Sequence, residues 1–64
     1  MDHRGVPFCI RPTSEPHIWR WEFRIGDVIK SGTTEARLEA LAVRRVQQQI
    51  NRELRRIARE AEEA

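Results

Sequence analysis

The sequence predicts an α+β fold, with a three-stranded antiparallel meander at about residues 6–11, 18–25 and 28–33 followed by one long helix at about residues 34–60. All three prolines, all three glycines and every aromatic residue lie before Thr33, and the rest of the chain is rich in helix-forming residues. Apolar residues alternate in the first half and recur every three or four positions in the second. We therefore expect a single domain over residues 1–64, with residues 1–5 and 61–64 flexible.

The first two predicted strands follow from alternation. Val6, Phe8 and Ile10 alternate with other residues, and Pro7 restricts this strand to a sheet edge or to its first positions. Residues 12–16, Pro-Thr-Ser-Glu-Pro, form a connection. The run over residues 18–25 alternates almost without exception and is the strongest strand signal in the chain. One face of that strand carries Trp19, Trp21, Phe23 and Ile25, and the other carries Arg20, Glu22 and Arg24.

The third predicted strand follows a hairpin. Gly26-Asp27 fits a two-residue loop, in which glycine supplies the positive φ that a type II′ turn requires first. Ile25 would then face Val28, and Trp21 would lie over Gly32. A three-residue loop would instead bring Ile29 under the aromatic residues, because a shift of one residue inverts a strand. The sequence leaves both registers open.

The predicted helix is longer than the sheet. Thr33 or Thr34 can cap it, and Glu35 suits its electropositive first turn. Residues 34 to 60 would span roughly 40 Å, whereas a strand of five or six residues spans only ~17–20 Å. The second half of the helix must therefore contact another surface or stand in water.

An apolar seam with an eleven-residue period runs along this helix. A core of this size rarely contributes more than ~3–5 kcal/mol, and one cysteine allows no internal disulfide, so we expect a homodimer through the seam. In the alternative, Leu38 and Leu41 pack on the sheet and the helix bends or frays after Val46. The seam could also meet a different protein, as in an inhibitor or assembly adaptor. Its residues are Val43, Val46, Ile50, Leu54, Ile57 and Ala61.

Arginines mark two candidate nucleic-acid contacts. Arg11, Arg20 and Arg24 would project from the sheet face opposite the aromatic residues, where arginine can contact phosphates and guanine edges. Glu22 between them either pairs with an arginine or reads a cytosine amino group. Six arginines on the helix either contact phosphates or form its solvated face. These helix arginines are Arg44, Arg45, Arg52, Arg55, Arg56 and Arg59.

Catalysis, metal binding and a cofactor are not expected. His3, His17 and Cys9 are the only soft metal ligands, and their spacing matches no zinc or haem site. No nucleophile has a recognisable activating neighbour. The net charge of +2 does not by itself indicate nucleic acid, and no segment is long and apolar enough for a membrane span. The unpaired Cys9 favours the cytoplasm of a microbe or phage.

Several short motifs carry a resemblance over residues 4 to 43. Arg4-Gly5-Val6 opens the first strand, residues 19–25 form the second, and Gly32-Thr33 and Glu39-Ala40 accompany the helix start. This arrangement resembles the ethylene-response-factor type of DNA-binding domain and its relatives in phage endonucleases and integrase arm-binding domains. In that family the sheet lies in the DNA major groove and the helix supports it from behind.

The resemblance implies particular contacts and has departures. It implies that Arg11, Arg20 and Arg24 are groove contacts, with Trp19 or Trp21 as a further one. Thr34 stands where the family has an aromatic residue, and Ala36 stands where it has a capping threonine. The helix runs past the family's length, and the family offers no support for a dimer through it.

Overall fold

A computed structural model describes residues 1–63 as an antiparallel sheet packed on one long helix. Ala64, part of the end predicted to be flexible, lies outside the described residues. Within residues 1–63 the sheet has four strands and not the predicted three. Their order in the sheet is the same as their order along the chain. The elements are β1 (Asp2–His3), β2 (Val6–Pro12), β3 (Ile18–Ile25), β4 (Val28–Glu35) and α1 (Glu39–Glu63).

The additional strand, β1, lies in the segment expected to be flexible. His3 pairs with Val6 across a two-residue turn, in which Arg4 and Gly5 have φ values of 52° and 80°. Met1 extends the pairing, because its amino group donates to the Phe8 carbonyl at 3.1 Å and its carbonyl accepts from the Phe8 amide at 2.8 Å. Arginine rarely adopts a positive φ. Neither the turn nor a two-residue strand therefore leaves a clear signal in the sequence.

The hairpin between β3 and β4 has the predicted two-residue loop. Ile25 pairs with Val28, and Trp21 pairs with Gly32. Gly26 has a φ of 59°, the left-handed conformation that its position in the turn requires. Since the loop has two residues, the alternative register with Ile29 beneath the aromatic residues is excluded.

The boundary between β4 and α1 lies later than predicted. The chain remains extended because the Ala36 amide donates to the His17 carbonyl at 2.8 Å, and Trp19 Nε1 donates to the Ala36 carbonyl at 2.9 Å. Threonines are β-branched and suit a strand, so residues 33 and 34 pair with β3 and do not cap the helix. The helix begins at Glu39, where the Ala42 amide donates to the Leu38 carbonyl at 3.2 Å.

The apolar seam of α1 packs on the chain's own sheet. Val46 and Ile50 have no solvent exposure, and Ala42 beside them has none either. Leu38 and Leu41, which the alternative interpretation placed on the sheet, are 68% and 39% exposed. The buried cluster comprises Val6, Phe8, Phe23, Val46 and Ile50, with Ile10, Trp21, Ile25, Val43 and Leu54 packed against it.

This packing limits the surface that the seam can offer to a second copy of the chain. Val43, Val46, Ile50 and Leu54 contact the sheet of the same chain and are not free to form the core of a second interface. The period of the seam predicts one apolar face on the helix, but it does not say which surface covers that face. Only Ile57, at 40% exposure, and Ala61 continue the seam beyond the sheet.

The helix extends past the sheet, as its length predicts. Its 25 residues span about 37 Å, and the longest dimension of the molecule is 43 Å. Residues 55–62 are all exposed. The last two turns of α1 therefore stand largely in solvent.

Candidate nucleic-acid interface

One face of the sheet is open to solvent because α1 covers only the other. Alternation along β2, β3 and β4 turns every second side chain towards this open face. Each of these side chains is exposed, which confirms the predicted separation of the two faces of β3. The open face consists of Pro7, Cys9 and Arg11 from β2, Arg20, Glu22 and Arg24 from β3, and Ile29, Ser31 and Thr33 from β4.

Strand register brings the basic residues of the open face together. Arg11 lies directly opposite Arg20, and Arg20 lies opposite Thr33 on the next strand. Side chains at directly opposed positions have Cβ atoms about 4.5–5.5 Å apart. Two guanidinium groups and a hydroxyl therefore form one row across three strands. Glu22 lies in the neighbouring row, between Cys9 and Ser31.

Among the side chains of residues 1–62, the arginines of this face have no anionic partner. No salt bridge in that range involves Arg11, Arg20 or Glu22, so the ion pair that was one of the two roles predicted for Glu22 is not formed. Arg24 folds back on its own hairpin, where Nε donates to the Gly26 carbonyl at 3.0 Å. Like charges directly opposite one another destabilise a sheet. The Arg11–Arg20 pair is thus an arrangement that an external anion would stabilise.

The other end of the open face is more apolar. Beside the β3–β4 hairpin, Ile29 is 63% exposed and Met1 is 60% exposed. They line a shallow groove of about 440 Å³ together with Pro7, Cys9, Glu22 and Arg24. The open face is therefore most basic at the end formed by Arg11 and Arg20, whereas near the hairpin exposed apolar side chains lie beside Arg24.

The helix arginines are all exposed, but some have partners. The Arg56 guanidinium lies 2.8 Å from the Glu53 carboxylate and 3.6 Å from that of Glu60, and Glu53 also contacts Lys30 at 3.3 Å. The hydrogen bond from Arg56 is the largest cause that holds the pKa of Glu53 below its ordinary value, and Glu53 in turn raises the pKa of Arg56. Arg45 donates to the Glu35 carbonyl. The helix is consequently less basic than its arginine count implies.

Arg44, Arg55 and Arg59 lie on the opposite side of the molecule from Arg11 and Arg20, whereas Arg45 and Arg52 line a groove beside β4. Residues of an α-helix are separated by about 100°, which places Arg44, Arg55 and Arg59 more than about 100° from the buried Ile50. These side chains point away from the sheet, whereas Arg11 and Arg20 point away from the helix. One flat ligand surface cannot contact both sets.

The histidines and the cysteine do not form a site. His3 Nε2 lies 2.8 Å from Asn51 Oδ1 on α1, so this histidine ties β1 to the helix. His17 occupies the turn before β3 with a φ of 63°. In the described part of the chain, no three His, Cys, Asp or Glu side chains are grouped so that they could hold a metal ion. The one helix that the structure describes lacks the apolar length that a membrane crossing needs.

Several residues of the open face were not anticipated from the sequence. Ser31 and Thr33 add hydroxyl groups beside Glu22 and Arg20, and Ile29 adds an exposed apolar side chain. Their position depends on the hairpin register, which the sequence left open. The signal that could have found them is the Gly26-Asp27 loop, since a two-residue loop assigns these three residues to the face of Arg20.

No protein-family model matches the chain, and comparisons with curated proteins and with solved structures found no match either. The resemblance of residues 4 to 43 to the ethylene-response-factor type of domain therefore stays a prediction. The two residues of β1 lie outside that resemblance. Surface geometry and charge are thus the grounds for assigning a role.

Proposed function

We propose that this chain is a non-enzymatic, cytoplasmic protein that binds double-stranded DNA through the open face of its sheet. The observation that carries the proposal is the row formed by Arg11, Arg20 and Thr33. Its two arginines are exposed, lie directly opposite one another and have no anionic partner among the side chains of residues 1–62. A phosphate or a guanine edge supplies the acceptors that such a pair lacks.

The dimensions of the open face suit the major groove of DNA. The axes of β2 and β4 are separated by two strand spacings, about 10 Å, and the groove is about 12 Å wide. Arginine makes bidentate contacts to guanine O6 and N7, and hydroxyl side chains such as those of Ser31 and Thr33 commonly bond phosphates. Arg20 on the central strand would reach the base edges, with Arg11 and Thr33 on either side of it.

The helix arginines contribute little to this contact. The molecule is 16 Å across its smallest dimension. Charges in solvent are largely screened beyond the Debye length, about 8 Å at physiological ionic strength. Arg44, Arg55 and Arg59 on the far side of α1 therefore act as a solvated helix face when the sheet is bound to DNA.

The predicted homodimer is not part of the proposal. Stable protein interfaces bury about 1,200–2,000 Å². Beyond the sheet, the seam offers Ile57, Ala61 and part of Leu54, which occupy about two helical turns. The same shortage of area applies to a hetero-partner on the seam, the alternative role predicted for it.

The experiment is a fluorescence-anisotropy titration of a labelled 20-base-pair duplex at two salt concentrations. The wild-type protein is expected to bind more weakly as salt rises, because each bound phosphate releases counterions. In the double variant R11A/R20A the affinity should fall at least about tenfold, and the salt slope should decrease by about one for each phosphate that the variant no longer binds. The matched control R44A/R55A removes the same charge from the far side of α1 and should bind as the wild type does.

Three results would contradict the proposal, provided that circular dichroism shows both variants to be folded. The first is the absence of binding at low salt. The second is a complex whose affinity does not depend on salt. The third is a larger fall in affinity in R44A/R55A than in R11A/R20A, which would move the DNA-binding surface to the helix.

A further inference from the structure

The outer edge of β4 is a second surface with unused binding capacity. β4 is eight residues long, contains no proline and, among the described strands, has no neighbour on its outer side. The opposite edge of the sheet is different, because β1 covers part of β2, and Pro7 and Pro12 have no amide hydrogen to offer. A long edge strand without such protection is a template for another strand.

The register shows which backbone groups of β4 face outwards. Ile25 and Val28 flank a two-residue loop, and the flanking pair of such a loop is hydrogen-bonded. Even-numbered residues of β4 therefore bond β3, in agreement with the bond from the Ala36 amide to the His17 carbonyl. The backbone N–H and C=O groups of the odd-numbered residues therefore point outwards, away from β3. The Glu35 carbonyl accepts a hydrogen bond from Arg45, whereas the outward groups of Ile29, Ser31 and Thr33 have no hydrogen-bond partner in residues 1–62.

A basic groove accompanies this edge on the helix side. It has a volume of about 290 Å³ and lies between β4 and α1, with Thr33 and Thr34 on one wall. Arg45, Gln48 and Arg52 line the other wall, and both arginines are exposed. Arg52 lies seven positions after Arg45, so the two arginines are about 10 Å apart along the helix axis. Alternate side chains of an extended strand are about 7 Å apart. Two of them can therefore reach the two flexible arginine side chains.

We propose that the β4 edge binds an extended acidic segment of another protein, which adds to the sheet as a fifth strand. Its backbone would bond the outward groups of Ile29, Ser31 and Thr33. Alternate acidic side chains would enter the groove and meet Arg45 and Arg52. Side chains on the other face of the segment would pack beside Ile29, so valine suits those positions.

Charge complementarity selects this occupant over a second copy of the chain. Pairing of β4 with the same strand of a second copy would bring two sets of Arg45 and Arg52 towards one another across the new sheet. An acidic segment neutralises those guanidinium groups instead. The site shares Ile29, Ser31 and Thr33 with the open face, but it uses their outward backbone groups and the groove on the helix side, whereas the DNA contact depends on Arg11 and Arg20.

The experiment is an NMR titration of the ¹⁵N-labelled chain with a blocked seven-residue peptide of alternating glutamate and valine. Lysine replaces glutamate in the control peptide. The glutamate peptide should slow hydrogen exchange at the amides of Ile29, Ser31 and Thr33. The amides of Lys30 and Gly32 already bond β3, so their exchange should change little. The lysine peptide should not bind.

Two variants test the two components of the site separately. Arg52→Glu reverses a charge in the groove and should weaken binding of the glutamate peptide about tenfold or more. Arg44→Glu makes the same change on the other side of α1 and should leave the affinity as in the wild type. Ser31→Pro removes an outward amide that the fold does not use, which an edge strand tolerates, and should also weaken binding.

The proposal is overturned by any of four results. The first is that the glutamate peptide shows no saturable binding at millimolar concentration, and the second is that the lysine peptide binds equally well. The third is an unchanged affinity in both Arg52→Glu and Ser31→Pro. The fourth is that a DNA duplex slows exchange at the same three amides and displaces the peptide. The last result would make the groove a phosphate-binding surface. Failure of DNA binding in the R11A/R20A experiment would leave the peptide result unaffected, so the two proposals fail separately.

Discussion

Replacement of Gly32 by alanine tests the contact between the hairpin and the aromatic residues. A Cβ atom at this position would lie 2.7 Å from Cζ2 of Trp21 and 3.1 Å from Cε2. Carbon atoms prefer separations of about 3.5–4.0 Å, so the indole ring would have to move by nearly 1 Å. Trp21 is also stacked on Phe23, with ring centroids 5.5 Å apart, and this stacking would be disturbed as well.

Two opposing effects decide the magnitude. Overpacking in a well-packed region costs about 1–3 kcal/mol. Alanine gains about 0.5–1 kcal/mol over glycine in a strand, because the unfolded chain loses less entropy on folding. The expected result is a net destabilisation of about 1 kcal/mol. For a domain of this size that corresponds to a fall of roughly 4–8 °C in Tm.

The assay is thermal and urea unfolding, followed by circular dichroism and by tryptophan fluorescence. Trp21→Leu provides the matched background, because removal of the indole removes the clash. In that background Gly32→Ala should be neutral or stabilising. A Gly32→Ala protein at least as stable as the wild type would refute the reasoning. An equal decrease in stability in both backgrounds would refute it too, since the cost would then not come from Trp21.

Three further predictions concern the helix. Ile50→Ala should destabilise the fold by about 2–5 kcal/mol and leave the chain largely unfolded at 25 °C. The side chain of Ile57 is half-exposed, so Ile57→Ala should cost less than about 1 kcal/mol. Urea unfolding compares the two variants, and equal decreases in stability would contradict the observed packing. Asn51→Ala removes the hydrogen bonds to His3 and Arg4 and should lower the free energy of unfolding by about 0.5–1.5 kcal/mol. Hydrogen exchange at the Val6 amide should become faster. Unchanged exchange at this amide would show that β1 does not depend on the helix. The pKa of Glu53 is lower in the folded chain than its ordinary value of 4.5, so its ion pairs stabilise the fold above about that pH and lose this effect as the pH falls through the folded pKa. The difference in Tm between wild type and E53Q should therefore be larger at pH 7 than at pH 3, and a difference that widens at pH 3 would contradict this assignment.

Sequence patterns predicted the features that depend on neighbouring residues. The structure confirms the two faces of β3, the Gly26-Asp27 loop and the opposition of Trp21 and Gly32. These features could be predicted because alternation and turn chemistry are local. The start of the helix was predicted too early. Thr33 and Thr34 suit a helix cap as well as a strand, and only pairing with β3 decides between them.

Features that depend on long-range packing could not be predicted in this way. The arginine positions on the open face follow from alternation, but the opposition of Arg11 and Arg20 depends on how residues 13–17 return the chain, and a five-residue connection permits several registers. The helical period likewise identifies one apolar face and not its partner surface. In the single chain the sheet buries Val46 and Ile50, and the assignment of the seam to a second copy stays a prediction.

The succession of the strands has a consequence for the rate and order of folding. Each strand pairs with the strand that follows it in the sequence, so the sheet can grow through short loops, and single hairpins form in roughly 1–10 μs. Closure of α1 over the sheet is a different event, because the His3–Asn51 contact joins residues 48 positions apart. Loop-closure entropy opposes such a step until many contacts form together. The helix is thus the element expected to dock last and to leave first, and the open face holds its shape only while the helix remains in place.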